Sequence, residues 1–190
     1  MLARRHTDIV IVATQPYNMK YGAAIRRGFT EALRTPHKWV FFTDSDRQFD
    51  IRELKLLLDE QTGSDTDMVI GYRIKRADPF HRKIFAKGWT TVSRIVLRFS
   101  ARDVDCAFKL INRRVLETIP PLRGDGAAIN PELLAKAKRA GFSYRQVGVN
   151  HYPRQAGEQS GSNIKVIVRS FTSLWKVWRE LRTSGKTLSP

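Results

Sequence analysis

The sequence predicts an α/β domain built on a mostly parallel sheet, and two observations carry that prediction. Short runs of β-branched and aromatic residues alternate with longer amphipathic stretches, the pattern of strands alternating with helices. The first two runs are each followed by a loop and a helical period, which is the repeating unit of a sheet with parallel strands. With 190 residues and 42% hydrophobic content, the chain can bury one sizeable core.

The elements follow in order. Ile9-Val10-Ile11-Val12-Ala13 is continuous and β-branched, the composition of a strand covered on both faces. Gly22 to Leu33 has apolar residues at helical spacing with Arg26, Arg27 and Glu31 between them. Trp39 to Thr43 predicts a second buried strand, and Ile51 to Gln61 a helix with Leu54, Leu57 and Leu58 on one side. Met68 to Gly71 is a third strand, Phe80 to Phe99 a long amphipathic helix, Ala107 to Ile111 a further strand and Arg113 to Thr118 a short helix. Asn130 as cap and Pro131 at the first position open a helix that runs to Ala140 and stops at Gly141. Ser143 to Val149 completes the sheet, and residues 154–163 form a Gly- and Ser-rich loop. In the last helix, from Ile164 to Arg182, Ile167, Phe171, Leu174, Trp175, Trp178 and Leu181 gather on one face among Lys and Arg. The expected organisation is a domain over residues 1–163, an amphipathic helix over 164–182 suited to an anionic membrane surface, and a disordered tail over 183–190.

Lys and Arg number 34 against 18 Asp and Glu, a net charge of +16, so the expected partners are anionic. The sequence has no RNP-like aromatic motif, GXXG loop or zinc-finger spacing, which argues against a nucleic-acid-binding module. The lone Cys106 has no intrachain partner and reads as a buried structural thiol in a reducing compartment. With no signal-like start and no long apolar run, the expected location is cytoplasmic, peripheral to the inner face of the membrane. His6, His37, His81 and His151 lack ligand-like spacing and read as surface or loop residues.

Three Asp-x-Asp pairs occur, and by itself such a pair means little. Asp65-Thr66-Asp67 and Asp103-Val104-Asp105 each precede a strand, whereas Asp44-Ser45-Asp46 follows one. Ligands of open α/β sheets sit beyond the carboxyl ends of the strands, so position alone sends Asp44 and Asp46 to the crevice. Residues two apart in an extended segment project to the same side, so Asp46 and Gln48 can both offer oxygen to one hard cation. The competing structural reading makes Asp44 a turn residue and Asp46 or Asp50 a helix cap.

Several motifs, in order, resemble the family-two glycosyltransferases of the GT-A fold, in the branch of the dolichyl- and polyprenyl-phosphate sugar synthases. Asn18-Met19-Lys20-Tyr21-Gly22-Ala23-Ala24 is similar to N-x-G-Y-G-x-A, and Asp44-Ser45-Asp46-Arg47-Gln48 to D-x-D-x-Q. Gly71-Tyr72-Arg73 resembles G-x-R, residues 103–109 resemble D-x-x-C-G-F-K, and residues 154–157 resemble R-x-x-G. Lys20 stands where the family usually has glycine, and so does Ala107. A further βαβα portion with Y-N-E and D-D-G-S motifs, which supplies much of the nucleobase pocket in the family, has no counterpart here.

The resemblance implies a three-layer α/β/α fold on a mixed, mostly parallel sheet, and transfer of a sugar from a nucleotide-sugar donor to a polyprenyl or dolichyl phosphate, with Mg²⁺ or Mn²⁺. It puts Asn18, Gly22, Asp44 and Asp46 on the donor diphosphate, and Asp46, Gln48 and Asp44 on the metal. Arg73, Arg82 and Arg154 would meet the acceptor phosphate, for which planar guanidinium forks are suited. Such an acceptor is already an anionic nucleophile. A hydroxyl acceptor would need a base, for which Asp103 or Asp105 are the candidates, although Asp105 could equally hold the site together. The missing portion leaves two other readings open: an inactive remnant, or one part of a split enzyme whose partner chain supplies the N-terminal half.

Overall fold

A computed structural model of the chain describes residues 10–74, 80–153 and 164–184, without the side chains of residues 80–82, 164–167 and 184. Helix α1 (Lys20–Ala32) leads to strand β1 (Trp39–Thr43), and a 3-10 turn at Ile51–Glu53 opens α2 (Leu54–Ser64). Next come β2 (Met68–Arg73), α3 (Phe80–Leu97), β3 (Phe108–Asn112) and α4 (Arg113–Thr118). A second 3-10 turn at Gly126–Ala128 opens α5 (Ile129–Arg139), followed by β4 (Tyr144–Val149) and α6 (Ile164–Ser184).

Among the described residues, four strands lie in the order β1-β3-β2-β4. β3 runs antiparallel to both of its neighbours, while β2 and β4 are parallel. β1, β2 and β4 therefore share one direction and β3 alone is reversed.

Alternation along the strands separates two apolar layers. Met68, Ile70 and Ile111 face the larger one, with Trp89 of α3, Leu134 of α5, Val177 of α6 and Phe29 of α1. Val69, Phe108 and Leu110 face the smaller one, closed by Leu57 of α2. Cys106 lies in this second layer, and burial followed by the nearby Asp103 charge pushes its thiol up to about 12. It is buried, as the sequence suggests, and the raised pKa keeps the thiol protonated.

Several expectations are corrected. Residues 10–13 are not a strand, and Ile11 and Val12 are exposed, because no described strand offers them backbone partners. β1 is a half-buried edge strand, paired only with β3 among the described strands. On α2 only Leu57 is fully buried, and Leu58 points to solvent. Asn130 is not a cap: the helix already runs on from the 3-10 turn, and Asn130 is buried inside its first turn. Pro131 still falls where a missing N–H costs nothing. On α6 the expected apolar face divides. Leu174 and Leu181 are buried with Val177, Ser170 and Ser173, while Phe171 and Trp175 are exposed. The small serines let the helix approach the 3-10 turn before α5, and the Asp125 N–H donates to Ser173 Oγ at 2.9 Å. No helix among the described residues is long and apolar enough to cross a membrane. The loop at 154–163 and the tail beyond 184 lie outside the described residues.

Candidate active site

Reversal of β3 determines what meets at the carboxyl end of the sheet. A strand running against its neighbours begins where they finish, so the segment before Phe108 lands beside the ends of β1 and β2. Asp103 and Asp105 thus join Asp44, Asp46 and Arg73 at the same end. Reading strand order without direction sends only Asp44 and Asp46 there. Asp67, which precedes the forward-running β2, is at the opposite end and accepts from the Ser143 backbone N–H at 2.9 Å.

The Asp44–Gln48 segment turns directly after β1. Asp46 Oδ1 accepts from the Gln48 N–H at 3.1 Å, and Arg47 occupies the left-handed region at φ 60°. Gln48 donates its side-chain amide to the Tyr152 carbonyl at 3.1 Å, and the Tyr152 N–H returns to the Gln48 carbonyl at 2.9 Å. Asp50, not Asp46, caps the next helix, accepting from the Arg52 N–H at 3.0 Å. The turn borders an open groove of about 860 Å³ whose walls include Asp44, Ser45, Arg47, Arg52 and Tyr152. His151, which reads from sequence as a loop residue, is buried beside this turn with its ring edge-on to Phe49 at 5.4 Å.

Arg73 ends β2 and is gripped by Asp103. Its Nε donates to Oδ2 at 2.5 Å and its Nη2 to Oδ1 at 2.7 Å, a bidentate pair with both side chains 10% exposed. Burial alone would lower the Arg73 pKa, but the hydrogen bonds and charge of Asp103 hold it above its ordinary value. Asp105 accepts from Trp89 Nε1 at 3.2 Å. Burial, and then the Asp103 charge, push its carboxyl up to about 6 against the pull of Arg73 and Lys109. Lys109 is fully buried and donates to the Val104 carbonyl and Asn130 Oδ1, both at 3.3 Å, and to the Cys106 carbonyl. Burial lowers its pKa, and the carboxylates around it resist that shift. Lys109 therefore pins the turn that carries Asp103 and Asp105, a role that the sequence shows only as a lysine within an apolar strand. Tyr21 of α1 hydrogen-bonds Asn130, and burial with the Asp44 charge raises its phenol pKa.

A second groove, of about 530 Å³, opens between the end of β2 and α3, where Arg73, Lys83, Lys87 and Arg102 meet Asp103. The Arg102 guanidinium lies over the Tyr72 ring at 4.7 Å. Lys83, Lys87 and Arg102 are absent from the sequence expectations; Lys83 and Lys87, one helical turn apart, were the available signal. The Arg82 side chain and Arg154 lie outside the described residues. Asn18 is exposed and accepts from the Lys20 N–H at 3.0 Å. Gly22 is a packing residue: a Cβ there would come 2.5 Å from the Gly124 carbonyl oxygen. Neither borders the two grooves. Among the described residues no three His, Cys, Asp or Glu form a ready-made metal cluster.

Comparison with known proteins identifies the family and the fold. The model of glycosyl transferase family 2 matches residues 2–120. Polyprenol monophosphomannose synthase of Mycolicibacterium smegmatis is 30% identical over 173 residues, covering 86% of this chain and 65% of that protein. The crystal structure of glucosyl-3-phosphoglycerate synthase from Mycobacterium tuberculosis with phosphoglyceric acid superposes with a TM-score of 0.65 at 17% identity, covering 92% of this chain and 60% of that one. The same enzyme with Mn²⁺, UDP-glucose and phosphoglyceric acid gives 0.63, covering 92% and 59%. The chain thus spans less than two thirds of each of these relatives. The α/β fold, the order of the motifs and the extent of the match place the chain in glycosyl transferase family 2.

Proposed function

We propose that the chain carries the metal, diphosphate and acceptor side of a glycosyltransferase that moves a sugar from a nucleotide-sugar donor to a polyprenyl or dolichyl phosphate. The observation that supports this most is the convergence at one sheet end of an acidic turn and a basic groove, one suited to a metal-bound diphosphate and the other to an anionic acceptor. The mannose synthase relative is named for a polyprenol phosphate, and the glucosyl synthase neighbour was crystallised with Mn²⁺ and UDP-glucose.

The donor set fits Mg²⁺ or Mn²⁺. Asp44 and Asp46 offer carboxylate oxygens and Gln48 an amide oxygen, all hard ligands, and a site with so few protein ligands takes the rest from phosphate and water. When bound, such an ion neutralises the charge that grows on the departing nucleoside diphosphate. The chain's own residues do the positioning. Asp46 shapes the turn through the Gln48 N–H, and Gln48 ties it to the Tyr152 segment. Asp103 occupies Nε and Nη2 of Arg73, so an acceptor phosphate would meet the Nη1 side together with Lys83, Lys87 and Arg102. A phosphate nucleophile needs no base, which leaves Asp103 and Asp105 to hold Arg73 and the turn before β3.

The test is transfer of labelled sugar from several nucleotide donors to polyprenyl phosphate. Native protein should transfer with Mg²⁺ or Mn²⁺ and stop with chelator, and Asp46→Ala and Arg73→Ala should each lose about 100-fold or more. Equal signal from all three proteins would contradict the proposal.

A further inference from the structure

Two helices leave apolar side chains uncovered along the line where they meet. On α3, Phe85 and Val92 flank Trp89 at helical spacing. On α6, Val168 and Trp175 flank Phe171 in the same way. The Trp89 and Phe171 rings meet edge-on at 5.2 Å, which joins the two rows into one strip. Phe85 is 60% exposed, Val168 56% and Trp175 55%, so most of the strip faces solvent.

The charge around it is mostly positive, with Asp125 of the turn before α5 paired to Arg169 at 4.0 Å. α3 contains no Asp or Glu, and α6 contains only Glu180, which is paired with Lys136 at 3.1 Å. Arg169, Lys176, Arg179 and Arg182 run along α6. The Arg179 guanidinium lies over the Trp175 ring at 5.8 Å and that of Arg182 over Trp178 at 4.7 Å, so cation and aromatic ring share each site.

We infer that the α3–α6 seam docks on the surface of an anionic lipid bilayer. Exposed aromatic and aliphatic side chains enter the boundary between headgroups and acyl chains, and the surrounding cations bind the phosphates. A second copy of the chain would instead bring two arrays of like charge together, which the strip would have to overcome. The inference goes beyond the transfer chemistry, and it rests on the proposed lipid acceptor only for its purpose: α3 also carries Lys83 and Lys87 into the basic groove, so docking would hold that groove at headgroup level.

Sedimentation of the full chain with vesicles tests this. Native protein should bind phosphatidylcholine vesicles containing phosphatidylglycerol far better than phosphatidylcholine alone, and lose binding as salt screens the headgroups. The double variant Phe85→Ser with Trp175→Ser should bind about tenfold or more weakly with an unchanged circular dichroism spectrum. Leu58→Ser, an exposed leucine on α2, should bind like native protein. Equal binding by the double variant would overturn the inference. So would equal binding to both kinds of vesicle, or a dimer in light scattering that the double variant abolishes without any vesicle binding. Transfer to a short, water-soluble prenyl phosphate reads the chemistry apart from the membrane. Its absence in native protein would count against the proposed function, not against docking.

Discussion

Asp105 shows how a single side chain couples the site to stability. Its carboxyl is raised from 3.8 to about 6, burial first and the Asp103 charge next. Between those values the folded chain holds a proton that the unfolded chain has released, so folding stability falls as pH rises from about 4 to about 6 and stays lower above. Asp105→Asn keeps an acceptor for Trp89 Nε1 and removes the titration. The variant should lose this slope in denaturant titrations and gain up to about 2 kcal/mol near neutral pH, where native Asp105 is ionised. Lys20 is a second case. It stands where the family usually has glycine, and its φ is 71°, in the left-handed region that disfavours a side chain with a Cβ. Lys20→Gly should therefore stabilise by about 1 kcal/mol, read as a rise of roughly 2–4 °C in thermal melting. The departure was legible in the sequence, whereas the backbone angle behind it was not.

At the scale of elements, the positions of β1 to β4 were legible, while their direction was not and the strand expected at residues 9–13 did not form in its described part. Trp39–Thr43 and Arg113–Thr118 match the expected bounds, because each has a clear apolar or helical pattern between turn residues. Phe108–Asn112 would have the same apolar pattern in either direction, yet its reversal is what brings Asp103 and Asp105 to the crevice. Buried charge was also hidden in α5. Glu132, with no exposed surface, accepts from the backbone N–H groups of Arg123 and Gly124 at 2.9 and 2.6 Å and pairs with Lys136 at 2.6 Å. Lys136 in turn reaches the Pro121 carbonyl at 2.8 Å and Glu180 of α6 at 3.1 Å. The cluster ties α5 and α6 to the segment on which α1 packs through Gly22. Removing one member leaves a buried charge and buried N–H groups without partners. Glu132→Ala should cost about 3–5 kcal/mol in chemical denaturation.

For the whole molecule, the acidic turn was found because it follows a strand within a series of ordered motifs, since Asp-x-Asp pairs alone occur three times. The basic groove could not be found that way. Lys83 and Lys87 come from a helix, Arg102 from a loop and Arg73 from a strand, and only the fold brings them together. Two roles at this end of the sheet are separable in the proposed function: the Asp44–Gln48 turn serves the metal-bound donor, and the groove beside Arg73 serves the acceptor phosphate. Two-substrate steady-state kinetics tests both at once, varying donor and acceptor independently. Lys87→Ala should raise the acceptor KM about tenfold and leave the donor KM unchanged, while Asp46→Ala should lower kcat and weaken donor and metal without moving the acceptor KM. If Lys87→Ala alters the donor KM instead, or both variants move the same substrate, the assignment of the two grooves is wrong.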